Sequence, residues 1–205
     1  FSKFPMFYNI DEALAQKPDI CVISNPTSMH IQTAIAAAQN GCHLFIEKPL
    51  ACDLDGVDEL ESIVASKKLI TLVTYQFRYH PHIKLIKKLL RATDRYGDAI
   101  YASAEWSEYL PDWHPWEDYR KSYAANVDLG GGVFLTQIPP LNYLNFLFGD
   151  INKTLVQKHA SKSLNIDVDD TADILIEFES GVSGHVHVDF IQKPRVHKLK
   201  IVTNL

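Results

Sequence analysis

The sequence contains no G-x-G-x-x-G turn, the loop that wraps backbone amides around a dinucleotide's phosphates at a helix N-terminus. Its nine glycines include one run, Gly130-Gly131-Gly132, which lies in the second half and not behind a first strand. Positive charge is also short. Lys and Arg number 20 against 25 Asp and Glu, for a net charge of −5, and the basic residues are scattered. That balance excludes nucleic-acid or anionic-membrane binding driven by a basic patch. Cysteine is scarce. Cys21, Cys42 and Cys52 are an odd number without C-x-x-C spacing, so buried free thiols are expected and not a disulfide framework. No apolar run approaches the ~18 residues of a membrane-spanning helix. The first residues lack the basic start and apolar core of a secretion signal. The expectation is a cytoplasmic protein with no membrane and no nucleic-acid partner.

What is present is an ordinary globular composition, 46% hydrophobic and 22% charged. Residues 11–17 carry two acids in a first turn and Lys17 in the last, a short helix signal. Ile20-Cys21-Val22-Ile23 is a continuous apolar run, suited to a strand buried on both faces. Asn25-Pro26-Thr27-Ser28 has turn and helix N-cap chemistry, and an alanine-rich helix follows to Asn40, with Gly41 behind it. His43–Ile46 is a second strand. Asp53 is expected to cap a helix with Leu54, Val57, Leu60, Ile63 and Val64 on its inner stripe. Leu69–Val73 is a third strand. Strand, helix, strand, helix, strand implies crossovers and a parallel sheet.

After Tyr75 the pattern changes. A helix is expected from Pro81 to about Arg91, then a strand over Ala99–Tyr109 and a long irregular loop over 110–130. Pro139-Pro140 restarts or kinks a helix that ends at Gly149. Thr154–His159, Ala172–Phe178, Val182–Ile191 and Lys198–Thr203 read as strands, with a hairpin turn at Glu179-Ser180-Gly181. In the third of these, Val182, Val186, Val188 and Phe190 alternate with Ser183, His185, His187 and Asp189. One covered and one polar face mark an open, mainly antiparallel sheet. The chain is therefore α/β, and the expected division is 1–76 and 77–205.

Several motifs occur in order: Asp19 to His30, with Asn25-Pro26 inside it; Asn40-Gly41 to Glu47-Lys48-Pro49; Tyr75-Gln76-Phe77-Arg78-Tyr79-His80-Pro81; Asp118-Tyr119-Arg120-Lys121-Ser122; and Gly130-Gly131-Gly132 to Phe148-Gly149. Together these resemble the Gfo/Idh/MocA oxidoreductases, the relatives of glucose-fructose oxidoreductase and inositol dehydrogenase. The resemblance implies a partial Rossmann-type domain followed by an α/β domain with an open sheet. It implies hydride transfer between NAD or NADP and a sugar, polyol or nucleotide sugar. It implies a homo-oligomer formed through the open sheet, and a cis bond at Pro49. Relatives begin with the Gly-rich segment and continue further at the C-terminus, so the chain is expected to be an internal piece. Relatives also carry a histidine and, three residues later, an aspartate, where this sequence has Pro139 and Asn142. An inactive relative that only binds a ligand or partner is the alternative that this exchange supports.

Oxidation of an alcohol needs a base for the hydroxyl proton. Lys48, at the C-terminal end of a strand, is the candidate catalytic residue; its bland alternative is a surface lysine in a tight turn. Asn25, Pro26, His30, Glu47, Lys48, Pro49 and Arg78 are the candidate cofactor residues. Arg78 could equally make an interdomain salt bridge, and His30 could be a plain helix-start residue. Tyr119, Arg120 and Asn142 are the candidate substrate residues; the first two could equally be ordinary loop. His80-x-His82 and His185-x-His187-x-Asp189 have the spacing of metal ligands, but an open polar face gives the same pattern, and no metal is expected. Trp106, Trp113 and Trp116 could stack on a sugar or simply pack.

Overall fold

In a computed structural model the residues described are 4–205. The chain forms two compact units, Phe1–Thr74 and Tyr75–Leu205. In the first, α1 (Ile10–Leu14) is capped by the Asn9 side chain. Then come β1 (Ile20–Ile23), α2 (His30–Gln39), β2 (His43–Ile46), α3 (Val57–Lys67) and β3 (Thr71–Val73). The strands form one sheet in the order β1-β2-β3, all parallel. Ile23, Leu44 and Ile46 pack with Ala34, Ala37, Ala38 and Leu60 of the two helices. The small alanines let α2 approach the sheet closely, and Gly41 ends it with φ 86°. The expected two-sided burial is not seen. Ile20 and Val22 are 59% and 64% exposed, and Phe45 and Leu72 share that uncovered face.

Two local expectations are corrected. Asp53 does not cap α3: its carboxylate accepts from the Asp55 amide, and the helix starts from Gly56 in the left-handed region at φ 77°. Leu54 consequently lies outside the helix and is 84% exposed. The turn at 25–28 gives neither the 3-10 turn Thr27–Met29 nor α2 a side-chain cap. Of the thiols, Cys42 is buried while Cys21 and Cys52 are half-buried.

The second unit holds α4 (Pro81–Leu89), α5 (Thr93–Tyr96), β4 (Ala99–Ser107), α6 (Val133–Thr136), α7 (Pro139–Phe148), β5 (Ile151–His159), β6 (Thr171–Phe178), β7 (Ser183–Asp189) and β8 (Val196–Thr203). The sheet order is β5-β6-β7-β4-β8; β4 and β7 run parallel and every other pair is antiparallel. Ala102, Ala104, Ile174, Ile176, Val186 and Val188 face the core with Tyr143, Leu144 and Phe148 of α7. The opposite face carries Ser103, Glu105, Asp173, His185 and His187.

The segment 110–130 is more ordered than expected, with 3-10 turns at Leu110–Asp112, Tyr119–Lys121, Tyr123–Ala125 and Val127–Leu129. It is anchored by buried Leu110, Ala124 and Ala125. Pro139 is the first residue of α7, where a missing amide costs nothing. The glycine run has a packing role. A Cβ on Gly131 would meet the carbonyl oxygens of Tyr123, Ala124 and Asn126, and one on Gly132 would meet the Asp169 carboxylate. Carbonyl and carboxylate oxygens repel a phosphate, so this run is not a displaced phosphate loop.

Candidate functional site

In the first unit the three parallel strands end side by side. The Glu47 amide donates to the Ile23 carbonyl and the Thr74 amide to the Ile46 carbonyl, both at 2.9 Å. The carboxyl ends of parallel strands are where open α/β sheets gather ligands. Each end here carries polar chemistry. After β1, Asn25 donates to Thr33 Oγ1 at 2.9 Å, while its Oδ1 is buried with no hydrogen-bond partner among the described residues. After β3, Thr74 Oγ1 is buried in the same state. Thr74 was not among the sequence candidates; its one signal was a hydroxyl residue directly behind an apolar strand.

Between them, at the end of β2, stand Glu47, Lys48 and Pro49, and the Lys48–Pro49 bond is cis. Lys48 is half-buried. Burial pushes its ammonium below the usual lysine range, and the Glu47 carboxylate opposes the shift. Glu47 also accepts the Lys48 amide at 3.3 Å. Pro26 is half-buried at the head of the turn into α2. His30 is 1% exposed, and both ring nitrogens are engaged: Nδ1 lies 2.9 Å from the Pro49 carbonyl oxygen and Nε2 2.9 Å from that of Asn25. It therefore braces the two loops from within. A buried polar atom without a partner costs roughly 1–3 kcal/mol. The orphaned Asn25 and Thr74 oxygens fit a ligand that brings hydroxyl or amide donors, as a nicotinamide ribose does.

The second unit brings Arg78 onto α7. Its Nε donates to Asn142 Oδ1 at 2.8 Å and its Nη2 to Asn145 Oδ1 at 3.4 Å. Two candidates separated by 64 residues thus meet. Tyr119 and Arg120 are occupied elsewhere. The Tyr119 hydroxyl donates to the Leu164 carbonyl at 2.8 Å, and Arg120 grips the Asp118 carboxylate with two bonds of 2.8 and 2.9 Å.

On the open face, Asp173 Oδ1 accepts from His185 and His187, and His187 Nε2 reaches Asp189 at 3.2 Å. Asp189, expected on the polar face, is 2% exposed because its other oxygen accepts the Ile191 and Gln192 amides. Among the described residues no group of three or more His, Cys, Asp or Glu is placed to hold a metal ion. The tryptophans serve different ends. Trp106 stacks on His197 at 4.3 Å, Trp113 packs its edge on Phe190, and Trp116 is exposed. No helix among the described residues is long and apolar enough to cross a membrane.

Comparison with known proteins agrees with this architecture. Residues 2–75 match the family model described as "Oxidoreductase family, NAD-binding Rossmann fold", and residues 83–203 match the GFO/IDH/MocA C-terminal domain. Levoglucosan dehydrogenase of Pseudarthrobacter phenanthrenivorans is 27% identical over 202 residues, covering 85% of this chain and 50% of the relative. UDP-N-acetylglucosamine 3-dehydrogenase of Acidithiobacillus ferrooxidans is 30% identical over 93 residues, 45% of this chain and 29% of the relative. Among solved structures, the WlbA dehydrogenase of Bordetella pertussis, in complex with NADH and UDP-GlcNAcA, superposes with a TM-score of 0.83 at 22% identity. That match covers 97% of this chain and 60% of the other. The chain spans about half the length of the curated relatives that cover most of it, 50% for the first of them. With both of its units matched by the family's two domain models, the chain belongs to the Gfo/Idh/MocA oxidoreductase family.

Proposed function

We propose that this chain serves an NAD(P)-dependent oxidoreductase that transfers hydride between the cofactor and a sugar, polyol or nucleotide sugar. The observation that carries the reading is Lys48: a half-buried amine at the end of a parallel strand, its charged form disfavoured by burial. A bound nicotinamide would supply the hydride acceptor. The protein's own part is to hold and move the proton. The neutral Lys48 Nζ takes the substrate hydroxyl proton as the carbinol hydrogen leaves with its electron pair, and in the reverse direction the ammonium returns it.

Asn25 Oδ1 and Thr74 Oγ1 accept from the cofactor's hydroxyl or carboxamide donors, Glu47 bonds a ribose hydroxyl, and His30 keeps the loops of Asn25 and Pro49 in place. The relatives' substrates, levoglucosan and UDP-N-acetylglucosamine by name, support the sugar class. In this reading the open face of the second sheet is the self-association surface, since Leu155 and Leu175 are cross-strand partners there and both are exposed. The three free thiols support a reducing, cytoplasmic setting.

The test is reduction of NAD or NADP by a panel of sugars and polyols. Lys48→Met is expected to lower kcat/KM by about a hundred- to ten-thousand-fold, the usual worth of an acid–base group. Lys48→Arg, which keeps the charge and cannot act as a base near neutral pH, is expected to fail as well. Unchanged turnover in Lys48→Met sinks the assignment. Tight NAD binding without turnover of any sugar favours the inactive relative.

A further inference from the structure

Arg78 is hydrogen-bonded but takes part in no ion pair among the described residues. Its bonded partners are the side-chain amides of Asn142 and Asn145, and its guanidinium carbon lies 5.7 Å from the centre of the Phe146 ring. All three partners are uncharged and all stand on α7. A second cation converges on the same ring: Lys87 Nζ donates to the Phe146 carbonyl at 2.8 Å and lies 3.5 Å from the ring centre. Neither α4 nor α7 contains an Asp or a Glu. None of the ion pairs among the described residues includes Arg78 or Lys87. A chain of net charge −5 has therefore gathered two cations around one aromatic ring, with no carboxylate ion-paired to either among the described residues.

The geometry of the guanidinium says what is missing. The two asparagines take the edge formed by Nε and Nη2. The outer edge, Nη1 with the second hydrogen of Nη2, keeps parallel donors, the fork that matches an oxyanion in two bonds. The amide dipoles fix the direction of that fork without spending its charge. An incoming anion need not displace a carboxylate to reach it.

We propose that Arg78, oriented by Asn142 and Asn145, recognises an oxyanion on the ligand. The substrate is then an acidic sugar, bearing a carboxylate or a phosphate, and not a neutral polyol. The word sugar rests on the oxidoreductase reading above; recognition of the anion does not.

Calorimetric titration of the whole chain with glucuronate, glucose-6-phosphate, inorganic phosphate and glucose tests it. An acidic sugar is expected to bind at least about ten-fold more tightly than glucose. The preference should vanish in Asn142→Asp, which sets a carboxylate of nearly the same size against Arg78, and in Arg78→Met. Stronger binding of glucuronate assigns a carboxylate; stronger binding of glucose-6-phosphate, with competition by inorganic phosphate, assigns a phosphate. Equal binding of glucose and both acidic sugars, no binding of any of them, or a preference that survives Asn142→Asp in a folded protein overturns the proposal. An acidic preference without hydride transfer to NAD or NADP leaves the anion site standing and removes the oxidoreductase reading alone.

Discussion

His30 Nδ1 lies 2.9 Å from the carbonyl oxygen of Pro49, and through this contact the helix that follows β1 holds the loop that follows β2. The other ring nitrogen reaches the Asn25 carbonyl at the same distance. A neutral imidazole has one N–H, so the tautomer decides which carbonyl receives it. The loop held in this way is the one that carries Lys48.

Removing this brace should loosen the site and the fold together. His30→Phe is expected to cost roughly 1–3 kcal/mol, the penalty for leaving a buried acceptor unsatisfied, and His30→Gln to recover part of it. Urea midpoints for both variants measure this, and equal midpoints for wild type and His30→Phe would deny the brace.

Lys48 should titrate below the ordinary lysine value of 10.5, because burial disfavours its ammonium. Its amine should therefore react with an amine-selective reagent at lower pH than a free lysine side chain does. Glu47→Gln removes the charge that opposes the shift, so the Lys48 midpoint should move lower still. Peptide-resolved labelling against pH measures both, and an upward move in Glu47→Gln contradicts the electrostatics.

His187 is held between two carboxylates. The hydrogen bond to Asp189 raises its pKa first, burial works against this, and Asp173 adds to the rise, for a value of about 9 against the ordinary 6.5. A raised pKa stabilises the fold fully below 6.5, and the contribution is lost as pH climbs through about 9. At face value the shift is worth about 3 kcal/mol; screening at Asp173, whose side chain is 46% exposed, reduces it to the order of 1–2 kcal/mol. On the carboxylates burial acts upward, but the histidine hydrogen bonds outweigh it, so Asp173 and Asp189 lose their contribution only as pH falls below the usual carboxylate range. Denaturant midpoints should therefore fall as pH rises from 6.5 to about 9 and level off above it, and His187→Gln should lack that limb.

Gly131→Ala should destabilise the second unit by about 1–3 kcal/mol or more, because the added methyl meets backbone oxygens, which cannot rotate away as a side chain would. Gly181→Ala has open space around it, although its φ is 84°, and should cost less. A thermal melt showing the reverse order would reject the packing role of the glycine run.

By itself the sequence determined the order of elements. Apolar runs of strand length alternating with helical stripes specify parallel crossovers, and the two-residue alternation over Val182–Phe190 specifies a sheet with one covered face. Local chemistry marked Pro139-Pro140 as a restart or a kink, and the structure makes Pro139 the first residue of α7, where proline is tolerated. The start of α3 was misjudged because Asp53 and Asp55 form their own turn, and a short-range pattern does not show which of two competing turns wins. The site was decided by tertiary structure. Asn25 and Thr74 matter because their oxygens are buried without donors, His30 because two distant carbonyls converge on it, and Arg78 because it meets Asn142. Each is a fact of burial and of contacts across many residues, which composition and periodicity do not encode.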